Sequence, residues 1–437
     1  MLTFRRVNSL FNHPHMQTQQ VNEKIEVFLV FTLALGLFLS KPIIYAASGT
    51  LLAYALVRTS LDQTYRHSLF RSRLTCSCVL LYFLGLFATV VHPGGITELA
   101  WTARKLLYLP LLPVLYLAFM SRPVRVAGLN GVLLGFWIAA FFTMHDIGWQ
   151  WNRGRIDGAT WLKDVWGVLT GLFISFLLPS IFERSDTVVK RSVIALTMTA
   201  ALAMLIMSGA RGPLLGVIVG GLLYLTMFQR NKLLFVLVLI AALYLPAKYW
   251  MPTQIDYLES RIISMSHVAD PDTDSENFNR SNWIRLQLWK TAIAHDTHKI
   301  FHEPLTLLFG SGPNNQIHEE RAFFENWSGM PEESKQRLLS YGFPSNERHN
   351  MYLDSIGKFG ILWTAGSILL IIAVAIKGIR SRGNFSQSSL AVSVVTINFL
   401  VTGMTYDLLA HWGSFFLVFL TMLAIHCRNS NVKLQTF

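Results

Sequence analysis

The stretch SVIALTMTAALAMLIMSGARGPLLGVIVGGLLYLTMF, residues 192–228, decides the fold class. It is two apolar runs with almost no loop between them, and a bilayer crossing takes about 17–25 such residues per helix. Its single charge, Arg211, sits at the junction. Working outward, runs of the same kind recur along the 437 residues. Hydrophobic residues make up 52% and charged residues 14%, with a mean hydropathy of +0.41. A soluble chain would carry about 25% charged residues. The pattern predicts an all-α polytopic membrane protein and excludes one or two soluble domains. The net charge of +12 does not point to nucleic acid, because the basic residues are scattered between apolar runs instead of gathered on one segment.

The runs predict twelve spans, near 25–40, 43–57, 74–92, 105–120, 126–144, 162–182, 192–210, 212–228, 233–249, 350–376, 387–406 and 411–427. The first follows a polar tail and shows no convincing cleavage site. Basic residues concentrate in alternate short segments, among them Arg58, Arg66, Arg71 and Arg73 together, Lys190 and Arg191, and Lys377, Arg380 and Arg382. The opposite segments hold only Lys41, Arg104, Lys105, Arg153, Arg155, Lys163 and Arg211. The positive-inside rule then puts both termini in the cytoplasm. Three parts follow: nine spans over 1–249, one long outer loop over 250–349, and three spans with a tail over 350–437.

Most tryptophans fall on the outer side, where an interfacial belt would populate both. Their excess hints at amphipathic structure there. In the loop, Trp283, Leu286, Trp289 and Ile293 form a helical stripe, which predicts short helices lying across the mouth of the bundle. The cytoplasmic segments carry no Walker or Rossmann glycine pattern, so a transferase here takes a donor that arrives already activated.

Two stretches carry candidate chemistry. In Met207-Ser-Gly-Ala-Arg211-Gly-Pro213, an arginine between spans is partly desolvated, which costs about 2.5–3.5 kcal/mol near a span centre and less toward the interface. Pro213 suits a helix start, so backbone N–H groups and a guanidinium come together as an anion site; snorkelling to the interface is the alternative. In Asn346-Glu347-Arg348-His349-Asn350, His349 stands where the loop enters the next span. It suits a general base or, equally, a structural hydrogen bond.

Weaker candidates surround these. His295, His298 and His302 share a helical face, a poor zinc site without a carboxylate. Asp270 to Glu276 lacks the glycine and final acid of a calcium loop. Arg153 and Arg155 lie among tryptophans and suit phosphate or sugar, as well as interface anchoring. Asp407, in the last outer turn, is an acid at membrane depth that could pair with an arginine. Cys76 and Cys78, two apart on a helix, do not face each other, so no metal or redox site is expected of them.

Together these residues give the chain a family look. It resembles the O-antigen ligase and O-antigen polymerase superfamily of bacterial envelope glycosyltransferases. The resemblance rests on the Ser-Gly-Ala-Arg211-Gly turn between spans and on a late outer loop with an amphipathic stretch around Arg285. It rests also on His349-Asn350, followed nine residues later by Gly360. The resemblance implies a GT-C-type fold in the inner membrane with a periplasmic active site. It implies transfer of a glycan from undecaprenyl diphosphate to a lipid A-core sugar, without metal or other cofactor. By position, Arg211 and Arg285 hold the diphosphate, His349 acts on the acceptor hydroxyl, and Asp407 matches an acidic position of ligases. Glu347 stands where some ligases have a second histidine, and Trp363 where a small residue is common. A polymerase shares these features. A polysaccharide flippase or transporter is the rival from another class, although no internal repeat or polar transmembrane path is visible. The glycan, the acceptor sugar and the oligomeric state are not encoded legibly.

Overall fold

The computed structural model describes residues 13–91, 95–149, 156–158, 161–182, 188–234, 244, 248–250, 252–253, 255–256, 259, 280–340, 342–343, 348–380 and 387–427. Its helices are α1 (His13–Leu39), α2 (Lys41–Leu61), α3 (Gln63–Phe70), α4 (Arg73–Val91), α5 (Ile96–Lys105), α6 (Tyr108–Ala118), α7 (Arg122–Asp146), α8 (Lys163–Ile181), α9 (Val188–Ser208) and α10 (Arg211–Phe228). After these come α11 (Arg280–His302), α12 (Pro304–Phe309), α13 (Pro313–Asn326), α14 (Glu332–Ser340), α15 (Met351–Arg380), α16 (Gln387–Thr402) and α17 (Trp412–Cys427).

Six of these, α4, α7, α8, α9, α10 and α15, are long and apolar enough to cross a membrane, and the apolar parts of α16 and α17 are shorter. The protein is therefore a helical, multi-pass membrane protein. The run expected near 105–120 is the short helix α6, which a turn at Leu106–Leu107 separates from the preceding α5. Most of the run near 233–249 lies outside the described residues. Proline marks several helix starts, falling in the first turn of α2, α7, α12 and α13, where its missing N–H has no partner to lose.

Of these six, α8 is the most enclosed, with 72% of its apolar stretch buried. It packs against α9, α10, α16 and α17. Near its outer half, Phe38 is fully buried among the rings of Phe136, Trp166, Phe173 and Phe416, with centroids 5.0–5.9 Å away. Lower in the bundle, buried Asn398 of α16 donates to the Gly171 carbonyl at 2.8 Å and to Ser175 Oγ at 2.7 Å. Its own oxygen accepts from Thr402 at 2.8 Å. Polar contacts of this kind fix helix rotation where the hydrophobic effect has no preference.

Helices α11 to α14 form a layer over α15, with a small core of Trp283, Leu288, Phe324, Met330, Leu338 and Phe343. Part of the tryptophan excess belongs to packing: Trp161, Trp166, Trp283 and Trp412 are buried inside the protein, while Trp149 and Trp250 are exposed.

Candidate active site

The site is built on a broken helix. Within α15, Gly360 has φ 82°, a left-handed value that favours glycine. A Cβ there would run into the Leu308 carbonyl and come within 2.6 Å of Gly310 N. The break leaves the carbonyls of Gly357 and Lys358 without helical partners. Ser311 N and Gly312 N supply them, at 3.1 and 3.0 Å, and so pin the outer layer to the membrane helix.

About three turns before the break, Asn350 caps the helix. Its Oδ1 accepts the N–H groups of Tyr352 and Leu353 at 3.0 and 3.2 Å, and its Nδ2 donates to the Met404 carbonyl at 3.2 Å. Met351 N donates to the Gly403 carbonyl at 2.8 Å. These bonds fasten the start of α15 to the turn between α16 and α17. His349 is thereby held, half-buried, at φ 51°. A non-glycine residue persists there only when its surroundings over-determine it, and such strain costs roughly 1–3 kcal/mol.

Arg348, on the other flank of His349, is the largest element of that constraint and was not anticipated from the sequence. It is 1% exposed. Its Nη1 lies 3.0 Å from Asp296 Oδ2 in α11 and its Nε 3.1 Å from Glu320 Oε2 in α13. Nη1 also donates to the Leu353 carbonyl at 2.8 Å. The backbone joins in: Arg348 N donates to Asp354 Oδ1 at 3.1 Å, and the Arg348 carbonyl accepts from Trp289 Nε1 at 3.1 Å. Burial pushes Asp296 and Glu320 above the ordinary carboxylate range, with the Arg348 guanidinium working against that push. His295, 3.4 Å from Arg348 Nη2, is driven down to about 3 by burial, then by Lys299 and Arg348.

This hub displaces the later part of the expected stripe on α11, of which Trp283 is buried and Leu286 and Trp289 are half-buried. Ile293 is 55% exposed, and the buried face is Leu288, Thr291, Ala292, His295 and Lys299. The helix has turned so that Asp296 meets Arg348 and Lys299 meets Glu319 (2.5 Å) and Ser311 (2.5 Å). Ion partners outweighed an apolar side chain, because an unpaired buried charge is far costlier than an exposed isoleucine. The three histidines separate too: His295 is buried, while His298 and His302 are exposed with rings stacked at 4.0 Å.

The elements that carry the two arginines reach the turn to which the start of α15 is fastened. Gly209, at φ 62°, makes the tight link between α9 and α10. Arg211 is the first residue of α10 and is half-buried. Next to it, Gly212 packs so closely that an added Cβ would run into Thr405 Oγ1 and lie 2.9 Å from the Tyr406 ring. Arg285 of α11 sits over that ring, its Cζ 5.7 Å from the centroid. The Tyr406 hydroxyl donates to Asp164 Oδ1 at 3.2 Å. Residues 403–406 are thus the common neighbour of the starts of α10 and α15 and of Arg285.

Asp407 pairs with a lysine, where an arginine was expected. Lys358 Nζ lies 3.5 Å from its Oδ2 and 2.5 Å from Asp354 Oδ2. Asp407 lines a cavity of about 500 Å³ next to the turn. Trp363 is fully buried and donates to the Leu81 carbonyl at 3.0 Å, filling the space a small residue would leave. Arg153, Arg155, Glu347 and the acidic run at 270–276 lie outside the described residues.

Residues 196–366 match a family model described as O-antigen ligase. That stretch of the chain is similar to O-antigen ligases. The matched segment runs from α9 through the Gly360 break, so it contains Arg211, Arg285, Arg348 and His349. The match supports a transferase in general terms. No curated protein gives a significant match.

Proposed function

We propose that the protein is an O-antigen ligase of the bacterial inner membrane. It has twelve spans in a GT-C-type arrangement, over 1–249 and 350–437, with both termini cytoplasmic and the 250–349 region periplasmic. It transfers a glycan from undecaprenyl diphosphate to a sugar of the lipid A core. The observation that carries this reading is the convergence on residues 403–406: Arg285 over Tyr406, the Arg211-Gly212 helix start against Thr405 and Tyr406, and His349-Asn350-Met351 bonded to Gly403 and Met404.

The chemistry suits that grouping. The acceptor oxygen attacks the anomeric carbon, the bond from that carbon to the diphosphate breaks, and the hydroxyl proton passes to the His349 imidazole. Arg211 and Arg285 hold the diphosphate through charge-assisted bonds and stabilise the charge that grows as it leaves. Two arginines supply the positive charge, so no metal or other cofactor takes part. Asn350 fixes the histidine by capping α15. Asp407, through Lys358, steadies the acceptor side, and Glu347, Arg153 and Arg155 are supporting residues of the same outer face.

A deletion strain tests the reading. Loss of a ligase leaves long glycan on the carrier lipid and bare core. Core bearing single repeat units would make the protein a polymerase, and donor trapped in the cytoplasmic leaflet would make it a transporter.

A further inference from the structure

The cavity of about 500 Å³ lies between α5, α13, the first turns of α15 and residues 407–411. Its size falls within the range of about 300–1,000 Å³ usual for small-molecule sites. Glu98, Trp101 and Lys105 stand at i, i+3 and i+7 on α5, and all three line it. Lys358, Asp407 and His411 face them.

Glu98 is 4% exposed. Its Oε1 accepts the Asn314 N–H at 2.7 Å, at the start of α13. Its Oε2 is buried and has no hydrogen-bond partner among the described residues. A buried acceptor so left is destabilising, and a ligand's O–H or N–H would satisfy it. Trp101 is half-buried and offers ring surface, with Lys105 Nζ 5.3 Å from its centroid. Two lysines face two carboxyl groups. A cavity with balanced charge, an aromatic wall and both donors and acceptors suits a neutral, hydroxyl-rich ring better than a phosphate.

We propose that this cavity seats the acceptor saccharide, with Glu98 accepting its hydroxyls and Trp101 carrying a ring face. The assignment rests on the ligase reading. It places the acceptor at the 407–411 end of the turn whose 403–406 end adjoins the arginines and His349. The cavity wall is also wired to that histidine: Lys358 bonds Asp354, and Asp354 accepts the Arg348 N–H.

The test is binding of delipidated core oligosaccharide to the purified full-length protein by calorimetry, alongside transfer kinetics. Glu98→Gln keeps an oxygen for Asn314 but turns an N–H₂ donor toward the ligand, and Trp101→Ala removes the ring. Each should weaken oligosaccharide binding about tenfold, roughly the loss of one good polar or aromatic contact, and raise the acceptor KM while the donor KM and thermal stability stay put. Unchanged oligosaccharide binding, a rise in donor KM alone, or binding that vanishes when the oligosaccharide is dephosphorylated would each overturn the assignment. Failure of the ligase reading looks different: the wild type would still bind oligosaccharide through Glu98 and Trp101 yet transfer no glycan to core.

Discussion

Replacing Arg348 by alanine should loosen the outer layer before it touches any substrate. The guanidinium is the shared partner of Asp296 and Glu320, whose side chains are 13% and 2% exposed. Removing one member of a buried ion pair costs about 3–5 kcal/mol, because the other charge stays buried without compensation. Two counter-ions would raise that figure. Protonation of the carboxyl groups, already pushed up by burial, lowers it, so about 3–5 kcal/mol stands as the net. At 1.4 kcal/mol per factor of ten, the closed layer becomes roughly 10²- to 4 × 10³-fold less populated relative to its opened form. Hydrogen exchange by mass spectrometry reads this directly, as faster exchange in 280–302 and 313–326 with the bundle core around α8 unchanged. Arg348→Lys should recover part of the loss, since one ammonium cannot span two carboxyl groups as Nε and Nη1 do. Exchange changed by less than about 1 kcal/mol-equivalent in the alanine variant would mean that these pairs do not hold the layer closed and that His349 is positioned by Asn350 alone.

Other expectations follow from the same geometry. Arg211→Lys keeps the charge but loses the planar fork, so transfer should fall strongly while the protein still inserts and accumulates; wild-type transfer would return Arg211 to interface anchoring. Arg285→Ala should raise the donor KM as well as lower turnover, because the diphosphate is charged in the ground state too, and unchanged donor kinetics would remove Arg285 from the site. For pH, His295 is held at about 3 against an ordinary 6.5, so the unfolded chain binds the extra proton between those values. Its contribution to stability is therefore full above pH 6.5 and is lost as pH falls toward 3, at up to about 1.4 kcal/mol per unit. The raised carboxyl groups of Asp296 and Glu320 titrate with the opposite sign, so the difference between wild type and His295→Gln isolates the histidine; equal acid profiles in the two would refute it.

How much of this was legible before the structure depended on the range of the interactions. Local signals read well. The apolar runs became helices, Pro42, Pro123 and Pro313 sit in first turns, and the spacing from His349-Asn350 to Gly360 marks a cap and a break that the backbone requires. Long-range pairing was not legible. Nothing near Arg348 in the chain announces Asp296 or Glu320, and without them the apolar period of α11 missed the face that carries Thr291, His295 and Lys299. The apolar run at 105–120 likewise obscured α5, whose Glu98, Trp101 and Lys105 were readable as one face only once the helix was known to end at Lys105.

The most direct test of the central claim is transfer by the purified protein in lipid nanodiscs, given an undecaprenyl diphosphate-linked glycan and lipopolysaccharide lacking O-antigen, with EDTA present and no nucleotide. The wild type should form glycan-bearing lipopolysaccharide under these conditions. His349→Ala and His349→Gln should both lose about 10²–10⁴-fold in turnover while binding the donor as tightly as before. Activity that requires a divalent metal, or a glutamine variant that turns over at the wild-type rate, would contradict the assignment of charge to the arginines and of the proton to His349.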